Sequence, residues 1–331
     1  GYATLVQKNT LESLDDYITD AGINLADFNG ITDQVTVDGS LYELPFRSDY
    51  WLIYYNKDVF DAAGIAYPSN DMTMEDYDAL ARQLTDTTYG SQVYGCHYHT
   101  WRSAVELFGI LDGKHSILDG NYDWMIPYYD MILSEEDDGV CQTYTDLSTE
   151  GLHYSAAFSN GNVAMMNMGS WFISTLISNL DSGEYDSSLC GNWGIASYPH
   201  PDGAEAGSTI ATITGLAVTS ASENKDAAFD FVNWVSGTEG AKVMASTGNF
   251  PAIMTDDVIN TIAGMAGFPT DEGSKEALNI TNAYLEVPYA ENVSEINSIL
   301  DTYHTSIMNR EVTVEEGVAS MNEQVGKILN Q

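Results

Sequence analysis

The sequence is poor in positive charge: 11 Lys and Arg stand against 49 Asp and Glu, a formal net charge of −38. Nucleic acids and anionic membranes are held chiefly through Lys and Arg contacts, so partners of those kinds are excluded. An anionic ligand is disfavoured for the same reason; neutral and cationic ligands remain. Only three cysteines are present, Cys96, Cys141 and Cys190, and their spacing fits neither a metal site nor a redox pair. One disulfide with a free thiol and three buried thiols both stay open. No apolar run approaches the ~18–20 residues needed to span a bilayer. No secretory leader is apparent, so the sequence carries no address of its own. Internal repeats and low-complexity segments are lacking. So are a Gly-x-Ser-x-Gly elbow, a His-Glu-x-x-His pair and a phosphate-binding Gly-x-x-x-x-Gly-Lys-Ser/Thr loop.

What is present is enough for two cores. A chain of 331 residues exceeds what one hydrophobic core usually holds. Hydrophobic content of 44% with 11% aromatics excludes a disordered chain. The 21 Tyr and 6 Trp are amphipathic aromatics of the kind that suits binding surfaces. The organising stretch is Leu41 to Phe60. It reads as a short strand that breaks at Pro45, whose ring fixes φ and removes a donor. It restarts as Trp51–Tyr55, an aromatic run buried on both faces. Between them lies polar Arg47-Ser48-Asp49-Tyr50, which reads as a passage from one lobe to another.

The words Tyr42-Glu-Leu-Pro-Phe46, Tyr54-Tyr-Asn-Lys-Asp-Val-Phe60 and Ala63-Gly-Ile65 resemble the hinge of family 1 extracellular solute-binding proteins, the carbohydrate receptors of ABC importers. Four further stretches follow in that family's order: Phe158 to Trp171, Gly215 to Ser220, Ala227 to Val235, and Thr313 to Met321. The resemblance implies an α/β, two-lobed periplasmic-binding-protein type II architecture with hinge crossovers. Lobe 1 would comprise 1–46 and 213–283, and lobe 2 would comprise 47–212 and 284–331. The family's opening strand, first helix and second strand have no counterpart before Leu11-Glu-Ser-Leu-Asp-Asp-Tyr-Ile18. Lobe 1 is therefore expected to lack about 60 residues, roughly two βαβ units. Leu216 and Val218 should then be less covered than their equivalents in lobe 2.

Local signals place the remaining elements. Thr73 and Asp76 form a capping box ahead of a helix to Leu84, with Met74, Tyr77, Leu80, Ala81 and Leu84 on one face. Thr313 and Glu316 repeat the box before a last helix with Val318, Met321, Val325 and Ile328 inward. Ser134-Glu-Glu-Asp-Asp-Gly139 reads as a solvated acidic turn. Helices are expected over Ser103–Leu111, Asn224–Val235 and Glu295–Met308. Strands are expected over Val163–Asn167, Trp193–Pro199 and Ile210–Thr219.

The site candidates come in two groups. Trp171 opens a helix after Gly169-Ser170, where an indole face can stack on a pyranose while its N–H stays free. The matching tryptophan in the family stacks on sugar. The resemblance likewise carries over Tyr98 and Trp101 as sugar contacts and Asp49 as an acceptor for hydroxyl groups. Arg47 either donates to ligand oxygens or fixes the crossing by an ion pair with equal claim. Tyr50, Arg102 and Phe250 complete the set. His97 and His99 point to opposite sides of an extended segment and read as surface or loop residues rather than metal ligands.

The resulting expectation is an extracellular or periplasmic receptor, with a signal or lipid anchor upstream of the chain. It is a monomer that captures a neutral mono- or oligosaccharide by hinge closure, using no cofactor or metal, and presents it to a membrane permease. The alternative is a secreted glycoside hydrolase working through a carboxylate pair. With 49 acidic residues, some pair lies close by chance.

Overall fold

The computed structural model describes residues 2–28, 30–86, 88 and 92–330. Its spine is one long strand, β1 (Leu44–Asn56), which belongs to two sheet regions. Along Leu44–Tyr50 it pairs antiparallel with β5 (Thr209–Leu216), which runs parallel to the short β6 (Ala283–Leu285). From Trp51 onward its partners change. Trp51–Tyr55 pairs with β3 (Val163–Gly169), and Leu52–Asn56 pairs with β4 (Trp193–Ser197), both antiparallel. β2 (Tyr94–His97) adds in parallel to β3.

Pro45 does not break this strand. Lacking an N–H, it shifts the register between Pro45 and Arg47, and the ladder with β5 resumes at once. The aromatic run that follows is buried because a strand flanks each of its edges. Asn56 then ends the strand and caps the helix Lys57–Ala63 by accepting the Asp58 amide proton.

Both expected capping boxes are formed, at Thr73–Asp76 and Thr313–Glu316. The helix Val314–Leu329 buries Val318, Met321, Val325 and Ile328, as its 3.6-residue period requires. The acidic stretch is different from its expectation. Ser134–Asp137 is the last turn of the helix Ile126–Asp137, and Glu135 and Glu136 fall on its buried face beside Ile132 and Leu133. Helical period, not charge, decides which side of that turn meets solvent. Val218 also departs from its expectation. It is 2% exposed because the N-terminal segment lies on it, with the Glu12 amide donating to the Val218 carbonyl at 2.9 Å. Leu216 is half-buried. His97 lies in β2 at 1% exposure rather than at the surface. Burial holds its imidazole neutral, with a pKa lowered to about 3.

Candidate functional site

A cleft opens where the two sheet regions meet, with a cavity of about 390 Å³ lined by Trp51, Thr100–Ser103, Trp171, Thr212, Glu286, Val287, Asn297 and Asp301. Its walls are chemically unequal. One is aromatic. The Trp51 and Trp171 rings meet edge-on with centroids 5.6 Å apart, and Trp101 lies 6.4 Å from the first and 6.3 Å from the second. Trp51 closes the crossing on β1, Trp101 follows β2, and Trp171 is the first residue of the helix Trp171–Ser182. Gly169 lets that last indole fold back over the end of β3: a Cβ there would lie 2.0 Å from the Trp171 ring.

The rest of the lining is largely polar. Glu286, just after β6, accepts the Ser103 hydroxyl on one oxygen and the Thr212 hydroxyl at 3.1 Å on the other. A single carboxylate thus ties β5 to the start of the helix Ser103–Ile110. Asp301, on the helix Val293–Met308, takes the Arg102 Nε–H at 2.8 Å. Arg102 is 5% exposed and also donates to Glu106 and Asn297. Its guanidinium therefore braces two helices against each other, and its planar fork suits that task.

The expected residues distribute unevenly around this cavity. Trp171, Trp101 and Arg102 line it. The Trp171 N–H is not free, since it donates to the Tyr154 hydroxyl at 3.2 Å. Trp51 instead keeps an indole N–H without a partner among the described residues. Arg47 and Asp49 are engaged with each other through two contacts, at 2.7 and 3.1 Å. The Ser170 hydroxyl donates to Asp49 at 2.9 Å and accepts the Tyr50 amide at 3.2 Å. This network joins the crossing to the helix that Trp171 opens. Burial outweighs the Arg47 guanidinium and leaves the Asp49 carboxyl above its usual range.

Tyr98 packs at 6% exposure against Tyr77 and Phe108, and Phe250 is fully buried against Tyr50. Tyr50 borders a separate cavity of about 170 Å³ with Ile31, Met254 and Leu278. None of Tyr98, Phe250, Tyr50, Arg47 or Asp49 lines the tryptophan cleft. His99 stands beside Trp101, with ring centroids 4.7 Å apart, and burial, followed by nearby His153, lowers its pKa to about 4.

Sequence reading overlooked Trp51, Thr212, Glu286, Asn297 and Asp301. Trp51 was hidden in an apolar run, although it directly follows the polar crossing. Nothing local distinguishes Glu286 or Asp301 among 49 acidic residues. Chemically, the cleft combines flat apolar faces with carboxylate acceptors, a combination matched to a polyhydroxylated ring.

Residues 1–242 match the family model for bacterial extracellular solute-binding proteins. The chain belongs to that family. A sugar transporter from Rhizobium etli, solved in an open conformation, is 46% identical, with a TM-score of 0.92 over 98% of this chain and 82% of that one. An ABC substrate-binding protein from Listeria monocytogenes in complex with cycloalternan shares the fold at 22% identity and a TM-score of 0.81, over 99% and 82% of the two chains. The mannitol-binding protein of Pseudomonas aeruginosa is 24% identical over 223 residues; the match spans 65% of this chain and about half, 49%, of that relative. The solute-binding protein thus has the two-lobed, periplasmic-binding-protein type II fold, and the family places it outside the cytoplasm.

Proposed function

We propose that this solute-binding protein captures a neutral mono- or oligosaccharide in the tryptophan cleft and delivers it to the permease of an ABC importer. The observation that carries the reading is the cleft itself: Trp101, Trp171 and the buried Trp51 share the lining of one cavity of about 390 Å³ with the carboxylates of Glu286 and Asp301. Pyranose C–H faces stack on indoles, and hydroxyl groups donate to carboxylates. The strong acid excess argues against an anionic solute. The sugar transporter similar at 46% identity supports a sugar as the class of solute.

The lobes in this reading are 1–46 with 213–283, and 47–212 with 284–331. The change of strand partner at Tyr50/Trp51 supports a crossing within β1. A ligand seated in this cleft, whose lining lies in the second lobe, favours the closed arrangement to the extent that it gains further contacts with the first lobe there. The receptor acts as a monomer, anchored or retained outside the cell, and releases its ligand chemically unchanged. Asp49, Arg47, Tyr98, Tyr50 and Phe250 support the cleft from behind in this arrangement, while Trp171, Trp101 and Arg102 border the sugar.

The test is a thermal-shift screen of neutral sugars, followed by recovery of the bound sugar after long incubation. A hit that raises the melting temperature and returns intact supports capture. Shortened products, lost on replacing Glu286 or Asp301, would assign a hydrolase instead.

A further inference from the structure

Away from the cleft, two of the three thiols meet. Cys96 sits on β2 and Cys141 follows the turn after the helix Ile126–Asp137, at 0% and 3% exposure. Their sulfurs and one Glu135 carboxylate oxygen all lie within 4.8 Å of one another. The backbones are already adjacent, since the Cys96 amide donates to the Val140 carbonyl at 3.4 Å. Cys190 is occupied elsewhere, its thiol directed at the Asp186 carbonyl. We propose that Cys96 and Cys141 are joined by a disulfide in the exported protein, leaving Cys190 as its single free thiol.

Three observations favour this bond. Neighbouring backbones hold the two side chains within reach, so rotation about the side-chain torsions can bring the sulfurs to the ~2.05 Å of a disulfide. The family is extracellular, and oxidising surroundings are where disulfides persist. The third is electrostatic. Burial lifts the Glu135 carboxyl to about 8 and raises the Cys96 thiol; against a hydrogen bond with Cys96 that lowers it, the Cys141 thiol is raised as well by burial and nearby carboxylates, so the pocket resists added negative charge. A disulfide adds none. A divalent metal on the same groups would require two thiolates and a carboxylate, and the described residues add no fourth His, Cys, Asp or Glu to the cluster.

The chemistry is thiol–disulfide exchange with an external disulfide, protein-borne or small. One cysteine thiolate attacks the oxidant's sulfur, forming a mixed disulfide and releasing one oxidant thiol. The second cysteine thiolate displaces the other. The two cysteines lose two electrons and two protons, and the oxidant becomes two thiols. Since both sulfurs are buried once β2 is seated on β3, the exchange takes place during folding or local opening. The bond would close the loop that contains Thr100–Ser103, so it braces one wall of the cleft.

The test is a thiol count on the full chain, produced through the oxidising periplasm of a bacterial host. The protein is unfolded in denaturant with maleimide and weighed intact, then digested without reductant. One maleimide per chain and a linked peptide pair containing Cys96 and Cys141 are expected. Cys96→Ser should show two free thiols, and the wild-type count stands even if that variant does not fold. Melting in reductant should fall by several degrees. Three maleimides on the wild-type chain, with or without a released metal ion, would overturn the proposal, as would a link through Cys190. No ligand enters the measurement, so its outcome is independent of the sugar reading.

Discussion

The two sides of β1 are built differently. Every residue of β3 and β4 is buried, whereas β5 is buried only over Thr209–Ala211 and β6 is half-exposed throughout. The aromatic wall of the cleft grows from the first side, through Trp51 and Trp171, and much of the polar wall, Thr212, Glu286 and Val287, from the second. Segments with few buried contacts open at low free energy, while packed cores do not. The contrast therefore assigns a fixed platform to the tryptophans and an adjustable wall to Glu286. Ser103 and Thr212 hold that carboxylate, and in the proposed site a ligand hydroxyl would compete for the same oxygens.

The sharpest way to break the contrast is on the packed side. Arg102→Ala leaves Glu106, which is fully buried, without its cation. Removal of one partner of a buried ion pair typically costs about 3–5 kcal/mol, and chemical denaturation would register it. If the loss is below about 1 kcal/mol, this brace is not structural. A matched pair of truncations compares the sheets directly. Ile195→Ala on β4 should cost roughly 2–5 kcal/mol, and Ile213→Ala on half-buried β5 about 1 kcal/mol or less. Equal losses in denaturant melts would erase the distinction.

Affinity comes next. Trp171→Ala removes one platform, and large aromatic anchors contribute about 2–4 kcal/mol at binding hot spots. That is roughly 30-fold to several hundred-fold in Kd. Trp171→Phe should retain much of the binding. Titration calorimetry beside thermal melts separates this from a core role, in which stability falls and affinity in the folded fraction does not.

The smallest effect is in pH. Burial raises Glu135 to about 8, and burial raises Glu43 to about 7 against an opposing Tyr289 hydrogen bond. Their unfolded values are 4.5, so the folded state holds protons that the unfolded chain has released. Their contribution is complete below pH 4.5 and is lost as pH rises through 7 and 8. His97 and His99 have the opposite sign, with folded values of about 3 and 4 against 6.5. Their contribution is complete above pH 6.5 and fades on acidification. Between pH 6.5 and 8 these two glutamates contribute up to about 1.4 kcal/mol per pH unit each. The melting temperature should therefore decline across that window, and Glu135→Gln should flatten the decline. An unchanged slope in that variant would mean that Glu135 is not held protonated.

These particulars also show what a sequence can disclose. Capping boxes at Thr73 and Thr313 were legible because donor and acceptor are three residues apart. The tryptophan at the start of a helix after Gly169-Ser170 was legible for the same local reason. Glu135 and Glu136 were not, because a charge run reads as solvated until a tertiary neighbour covers it. Glu286 was beyond reach, since its meaning comes from Ser103, 183 positions away. Pro45 was overread: the ring removes one ladder bond, and a register shift absorbs the loss.

Hydrogen exchange with and without the sugar found by screening separates the fixed platform from the adjustable wall. β3 and β4 should exchange slowly in both states. Amides of Thr209–Leu216 and of the segment from Ala283 to Val287 should slow when sugar bridges the tryptophans to Glu286. Saturating sugar that leaves both segments unchanged, or protects only regions remote from the cleft, would contradict the contrast.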